Sequence, residues 1–251
     1  MKPVLVTPRW ALAWFVTLSA AVGGCGTKRV SIPIMPPLIS PPSPTLWMES
    51  FDELRPERWR EVEVRRQTRY QVVTLDGRRC LQAHSRAGAS ILLSPLRFNP
   101  NTYRWLSWRW RVDQLVEGEA LDRKGGSDAA ARVYVYFETK ALPWQKRNLD
   151  YLWSAALPAG SVLESAYSSE SKIIVAESGK ERLGQWLAVE RNLVDDYRRC
   201  FGADPPPVVA VGLMSDTDNT DGEALAYFDD LRISRLPAHS ETVNRQPCPP
   251  K

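Results

Sequence analysis

Two short alternating runs carry the side chains best suited to chemistry. In Leu106–Val112 (LSWRWRV), Arg109 and Arg111 alternate with Trp108 and Trp110. In Ala131–Phe137 (ARVYVYF), Arg132, Tyr134 and Tyr136 alternate with Val133, Val135 and Phe137. Planar phenols and guanidinium forks suit polyhydroxylated ligands, because ring faces stack on apolar sugar faces and forked donors reach hydroxyl or carboxylate oxygens. Trp153 adds a stacking candidate near a strand end, as do Trp105 and Trp144, although core use is the default for tryptophan. Two outcomes follow for the Arg/Tyr side of the runs. It is a binding face, or a layer such as residues 113–130 packs over it and pairs buried arginine with Asp122 or Asp128.

Acidic residues supply the second constellation. Residues 216–223 (DTDNTDGE) crowd oxygen ligands into one connection, Asp216 and Asp218 foremost. Hard cations such as calcium take six to eight oxygens, so a structural calcium is the one cofactor this spacing admits. The spacing is not that of an EF-hand loop, and a hairpin rich in local Asp and Asn turns accounts for it as well. Asp229 falls in an apparently apolar register (Leu225, Tyr227, Leu231, Ile233). Burying it unpaired there is costly, so a bulge resets the register or a partner holds the carboxylate. Catalytic sets are meagre. His84 and His239 stand apart, Ser85 is beside His84 rather than facing it, and a serine triad needs a positioned histidine.

The elements that position these groups read mostly as strands. Both runs have the period of two of a half-buried strand. Further strands are predicted over Tyr70–Leu75, Cys80–His84, Ser90–Ser94, Leu149–Ser154, Lys172–Ala176, Trp186–Arg191, Val208–Met214 and Ala224–Ser234. About ten short strands separated by turn signals predict a mostly β fold, an antiparallel β-sandwich of jelly-roll, galactose-binding-like type. One helix is predicted over Leu193–Phe201, capped by Asn192 and ended by Gly202, with Asp195 and Asp196 in its first turn and Arg198 and Arg199 in its last.

The ends read differently. Lys2 and Arg9 precede an uncharged apolar run, Trp10–Val22, too short to span a bilayer comfortably and of the length of a signal-peptide core. Val22-Gly-Gly-Cys25 resembles a bacterial lipobox, which implies cleavage after residue 24 and lipidation of Cys25. Gly26 stands where an aspartate would resemble an inner-membrane retention signal, so the analogy places the anchor in the outer membrane, facing the periplasm. Residues 25–45 form a proline-rich tether of polyproline character, residues 46–236 the sandwich domain, and residues 237–251 a disordered tail. The net charge of +4 comes from the ends; residues 46–236 hold 27 Lys and Arg against 28 Asp and Glu. Such a domain lacks the basic footprint of nucleic-acid binding. Of the remaining cysteines, Cys80 and Cys200 are the preferred disulfide, with two buried free thiols as the alternative and Cys248 left over.

Six phrases in fixed order resemble a bacterial envelope family catalogued as domain-of-unknown-function family 3047: LSWRWRV (106–112), KGGSDAAARVYVYF (124–137), YLWS (151–154), VAES (175–178), DDYRRCFG (195–202) and MSDTDNTDGEALAYFDDL (214–231). The resemblance implies no activity. The opening phrase (Glu49-Ser-Phe-Asp, then Trp59) and the closing one (Tyr227-Phe-Asp-Asp-Leu) resemble the two ends of carbohydrate-binding jelly rolls. In those, the closing strand helps hold a structural calcium, which makes Glu49 and Asp229 further candidate ligands. The leading expectation is a non-catalytic lipoprotein that binds a glycan or other envelope ligand through Arg109, Arg111, Arg132, Tyr134, Tyr136 and Trp153. The alternatives are a polysaccharide lyase or hydrolase centred on Tyr134 and Arg132, and a module that docks another envelope protein.

Overall fold

The computed structural model describes residues 43–139 and 147–238. The expected signal segment, Cys25, most of the expected tether, Trp144, His239, Cys248 and the expected tail beyond residue 238 lie outside them. Thirteen strands and one α-helix occur among the described residues: β1 (Thr45–Glu49), β2 (Arg60–Arg65), β3 (Arg69–Leu75), β4 (Arg78–Arg86), β5 (Ala89–Phe98), β6 (Trp105–Gln114), β7 (Ala129–Phe137), β8 (Arg147–Ser154), β9 (Val162–Ser165), β10 (Ser168–Ser178), β11 (Leu187–Asn192), α1 (Leu193–Phe201), β12 (Val208–Asp216) and β13 (Glu223–Ser234). They form a mostly β sandwich of jelly-roll class. One sheet runs β11-β6-β13-β4-β3, with β1 also on β13, and the other β2-β5-β12-β7-β8-β10-β9. The second sheet is mixed, not wholly antiparallel, because β8 and β10 pair in parallel.

Apolar residues at alternate positions face inward from both sheets. Trp108 and Trp110 of β6 meet Tyr151 and Trp153 of β8 across the sandwich, with ring centroids 5.5 and 5.9 Å apart. Leu81, Phe228 and Ile233 join from one side and Val133, Val135 and Leu213 from the other. Trp153 is therefore core. It is 0% exposed and its indole N–H donates to Gly179 O at 3.1 Å, which removes it from the stacking candidates.

The helix has the predicted ends. Asn192 Oδ1 accepts from the Val194 and Asp195 N–H groups, and Gly202 closes α1 at φ +65°, a conformation that costs glycine little. The expected Cys80–Cys200 bridge is not formed. Cys80 lies on β4 and Cys200 on α1, both as free thiols, and burial pushes each thiol up to about 11. The alternation of β13 breaks where counting by twos failed. Asp229 pairs with Arg109, but the next pair is Arg232 with Ser107, so an extra residue forms a bulge, with Asp230 at φ +51°. The bulge returns Leu231 and Ile233 to the core and leaves Asp229 on the outer face.

Trp153→Ala is expected to lower unfolding stability by about 3–5 kcal/mol, as deletion of a buried aromatic does. Chemical denaturation measures it, and a loss under ~1 kcal/mol would contradict the core position.

Candidate functional site

The two alternating runs lie in different sheets. β6 belongs to the six-stranded sheet and β7 to the seven-stranded one, and each turns its tryptophan or valine side inward. Arg109 and Arg111 therefore leave the sandwich on one side, and Arg132, Tyr134 and Tyr136 on the other. The single Arg/Tyr face expected from the sequence does not exist. The three residues on β7 share the outer face of the seven-stranded sheet with their register partners. Arg132 lies between Met214 and Leu152, Tyr134 between Gly212 and Asp150, and Tyr136 between Ala210 and Asn148.

One end of that outer face is closed. Leu121 and Ala129 pack with Leu152, Ile173 and Val175 in a second small core, so the connection before β7 covers the sheet as the layer reading anticipated. Arg132 is sealed beneath it at 3% exposure. Its Nε donates to Asp216 Oδ1 at 2.8 Å, its Nη2 to Ser127 O at 2.8 Å, and its Nη1 to Asp150 Oδ2. Its partners are thus Asp216 and Asp150, not Asp122 or Asp128. Burial by itself would lower the arginine's pKa, but Asp216 and Asp150 outweigh it and hold the guanidinium charged. Burial also pushes Asp216 up to about 7, against the pull of Arg132 and with a push from Asp128, and raises Asp150.

The other end is open. Tyr134 and Tyr136 are half-buried, and their rings stack at 5.6 Å with 22° between planes. Both lean over β12. The Tyr134 hydroxyl is 3.8 Å from Met214 Sδ, and Tyr136 lies over Gly212, where an added Cβ would sit 3.5 Å from Tyr136 Cε2 and 3.1 Å from Ile91 Cγ2. The glycine lets the rings settle on the sheet as a platform. Beside them, Asn148 Oδ1 accepts from Ser171 Oγ at 2.8 Å. The Asn148 Nδ2 donors and the Tyr136 hydroxyl have no partner among the described residues. Burial raises the pKa of both tyrosines, which keeps the phenols neutral donors.

The expected metal ligands do not form one site. Glu49 accepts from the Phe51 N–H at 3.2 Å, Arg58 Nη1 at 3.0 Å and Trp59 Nε1 at 3.1 Å, so the protein itself satisfies it. Asp229 accepts from the Asp230 N–H at 2.8 Å and pairs with Arg78 at 3.3 Å. Glu49 is paired with Leu231 beyond the bulge, and Asp229 lies before it. Asp216 and Asp218 do converge, with Asp128 as the third member, their ligand oxygens within 4.8 Å of one another. The fit to calcium is poor. Asp128 already accepts from the N–H groups of Asn219 and Thr220, from Asn219 Nδ2 and from Thr220 Oγ1, and Asp216 is already bonded by Arg132 Nε and the Ala129 N–H. These bonds clasp the β12–β13 connection to the loop before β7; the connection crosses from one sheet to the other, so the hairpin expected from the sequence is not formed.

A hollow of about 510 Å³ lies elsewhere, between residues 113–119 and Ala155, Ala156, Lys180 and Leu183. Its buried acid, Glu119, already accepts from Ser154 Oγ and the Ala155 N–H. The sequence had no signal for Asn148, Ser171 or Gly212, because their roles depend on which strands neighbour β7.

The fold and the site define a jelly-roll β-sandwich with one outer face half closed by a loop and half opened onto a tyrosine pair. The chain belongs to the family described as "Protein of unknown function (DUF3047)", matched over residues 57–232. No curated protein matches. Among solved structures it is similar to the CBM22-1 xylan-binding domain from Paenibacillus barcinonensis Xyn10C (TM-score 0.37, 14% identity, 77% of this chain and 96% of that one). It is also similar to SGBP-B from a complex xyloglucan utilization locus in Bacteroides uniformis (0.33, 13%, 70% and 48%) and to the family 11 xylanase from Neocallimastix patriciarum (0.37, 10%, 71% and 100%). These likenesses carry neither ligand nor reaction to this chain.

The raised Asp216 pKa has a sign. The folded state keeps that proton up to about pH 7, whereas an unfolded aspartate releases it near 3.9, so this group's contribution to stability falls as pH rises between those values. Asp216→Asn is expected to flatten the fall between about pH 4 and pH 7, as read by denaturation at several pH values. An unchanged slope contradicts the assignment.

Proposed function

We propose that the protein is a lipid-anchored envelope lipoprotein whose sandwich binds a glycan on the Tyr134–Tyr136 platform. The observation that carries this reading is the pairing of half-buried, sheet-lying tyrosine rings with donors at their edge, the Tyr136 hydroxyl and Asn148 Nδ2, that have no partner among the described residues. A pyranose ring has an apolar face for the rings and hydroxyl oxygens for the donors. Neutral domain charge agrees with a ligand recognised by shape and hydroxyls. The enzyme reading has less support. Arg132 is occupied by Asp216, Asp150 and Ser127, and both carboxylates are sealed at 4% and 2% exposure, so neither meets the open platform. The anchor rests on the sequence of residues 1–25: lipidation at Cys25, a proline-rich tether, and an outer-membrane position facing the periplasm.

Two experiments test the two halves. In affinity gel electrophoresis of the detergent-solubilised full chain against a panel of soluble polysaccharides, Tyr136→Ala is expected to weaken binding about tenfold or more, equivalent to about 1.4 kcal/mol. Asn148→Ala should weaken it less, and both variants should melt cooperatively. Unchanged binding by both rejects the platform. Cys25→Ser is expected to move the protein from the membrane to the soluble fraction of fractionated bacterial cells, and a variant that stays with the membrane rejects the lipid anchor.

A further inference from the structure

The opposite outer face carries a guanidinium that donates no side-chain hydrogen bond among the described residues. Arg109 projects from β6, and its guanidinium lies 5.2 Å from the centroid of the half-buried Trp186 ring. Its nearest charged partner is Asp230 Oδ2, 3.6 Å from Nη1, which is beyond hydrogen-bond reach. Arg109 makes no side-chain hydrogen bond among the described residues, though its side chain is only 29% exposed. The indole face lies beside the cation and leaves its donor edge without a hydrogen bond among the described residues. Arg111 differs: it is engaged by Asp113 at 2.6 Å and Asp76 at 3.1 Å.

The free edge meets a hollow. A cavity of about 330 Å³ is lined by Arg109 together with Met48, Ser107, Ala188, Asp230 and Arg232, near the lower end of the sizes that hold small ligands. The β13 bulge forms part of its wall, between the Asp229–Arg109 and Arg232–Ser107 pairs. Such bulges re-aim side chains beside functional sites. In the lining, Arg109 and Arg232 stand against Asp230 and Glu190, so the cavity has no surplus of either sign. Charge balance disfavours a strongly charged ligand, whereas a fork edge beside a serine hydroxyl and the apolar Met48 and Ala188 suits vicinal hydroxyls on a compact ring.

We infer that this cavity is a second binding site, for a single neutral sugar unit, and that the protein holds two glycan strands at once on opposite sides of the sandwich. The site's existence rests on its own geometry; only the naming of its ligand as sugar draws on the glycan reading. Trp186 acts as a positioning residue for Arg109.

Isothermal titration of the full chain with neutral xylo-, cello- and manno-oligosaccharides, and with uronate oligosaccharides as controls, tests it. The wild type should bind a neutral series with two sites per chain, and Tyr136→Ala should retain one. Arg109→Ala should lose the other, with at least a tenfold drop in its affinity. Arg109→Lys should fail to rescue it, because an ammonium lacks the fork, and Trp186→Ala should weaken it while Arg109 remains. One site that Tyr136→Ala abolishes and Arg109→Ala spares overturns the inference and leaves the platform standing. One site that Arg109→Ala alone abolishes supports the cavity and rejects the platform. Binding at Arg109 confined to uronates overturns the neutral class, and silence with every saccharide overturns both.

Discussion

The seven-stranded sheet is organised by one buried guanidinium. Arg132 stands on its central strand and ties β12 through Asp216, β8 through Asp150 and the covering loop through the Ser127 carbonyl. A charge so deeply buried is tolerable only when paired and hydrogen-bonded, so the three strands and the loop must hold one arrangement. The loop in turn presents Asp128, whose carboxylate gathers the N–H groups of the β12–β13 connection. Polar clasp and small apolar layer together close one end of the outer face, and the tyrosines four and two residues along from Arg132 remain open. That division is what gives the sheet a bounded platform instead of a uniform polar surface.

The two faces of the sandwich treat arginine in opposite ways. On the seven-stranded sheet Arg132 has carboxylates on both sides and no exposure to speak of, so it is a structural device. On the six-stranded sheet Arg109 lies beside an indole and 3.6 Å from Asp230, and it donates no hydrogen bond among the described residues. The same residue type, in two runs with the same alternation, thus supplies a strut in one place and the proposed recognition group in the other. What decides between them is the layer outside: a loop with its own apolar residues covers the first, and a bulge opens a hollow beside the second.

Much of this was legible locally. The inward side of β6 and β7, the helix with both caps, and the sandwich class all follow from periodicity and turn chemistry acting over a few residues. Three features were not. β2 (REVEVR) is exposed at every position, so no buried side marks it as a strand. The bulge at Asp230 shifts the count by one, and a period of two cannot reveal the residue at which it fails. The assignment of the two runs to one face failed for a different reason. Alternation tells which side of a strand is apolar but not which sheet the strand joins. The partners that seal Arg132 lie 18 and 84 residues away in the chain, so its burial is a property of the assembled topology. Tyr134 and Tyr136 were singled out correctly as outward phenols, but Gly212, which lets them lie flat, became visible only once β12 was seen beside β7.

Two phenol rings over a glycine floor form the proposed contact surface for sugar. Nuclear magnetic resonance of the tyrosine ring protons during titration with neutral oligosaccharides measures that contact directly. Saturable shifts of the Tyr134 and Tyr136 ring signals are expected, while the sealed Tyr151 and Tyr197 stay fixed. Saturable binding that leaves both platform rings unmoved would contradict it.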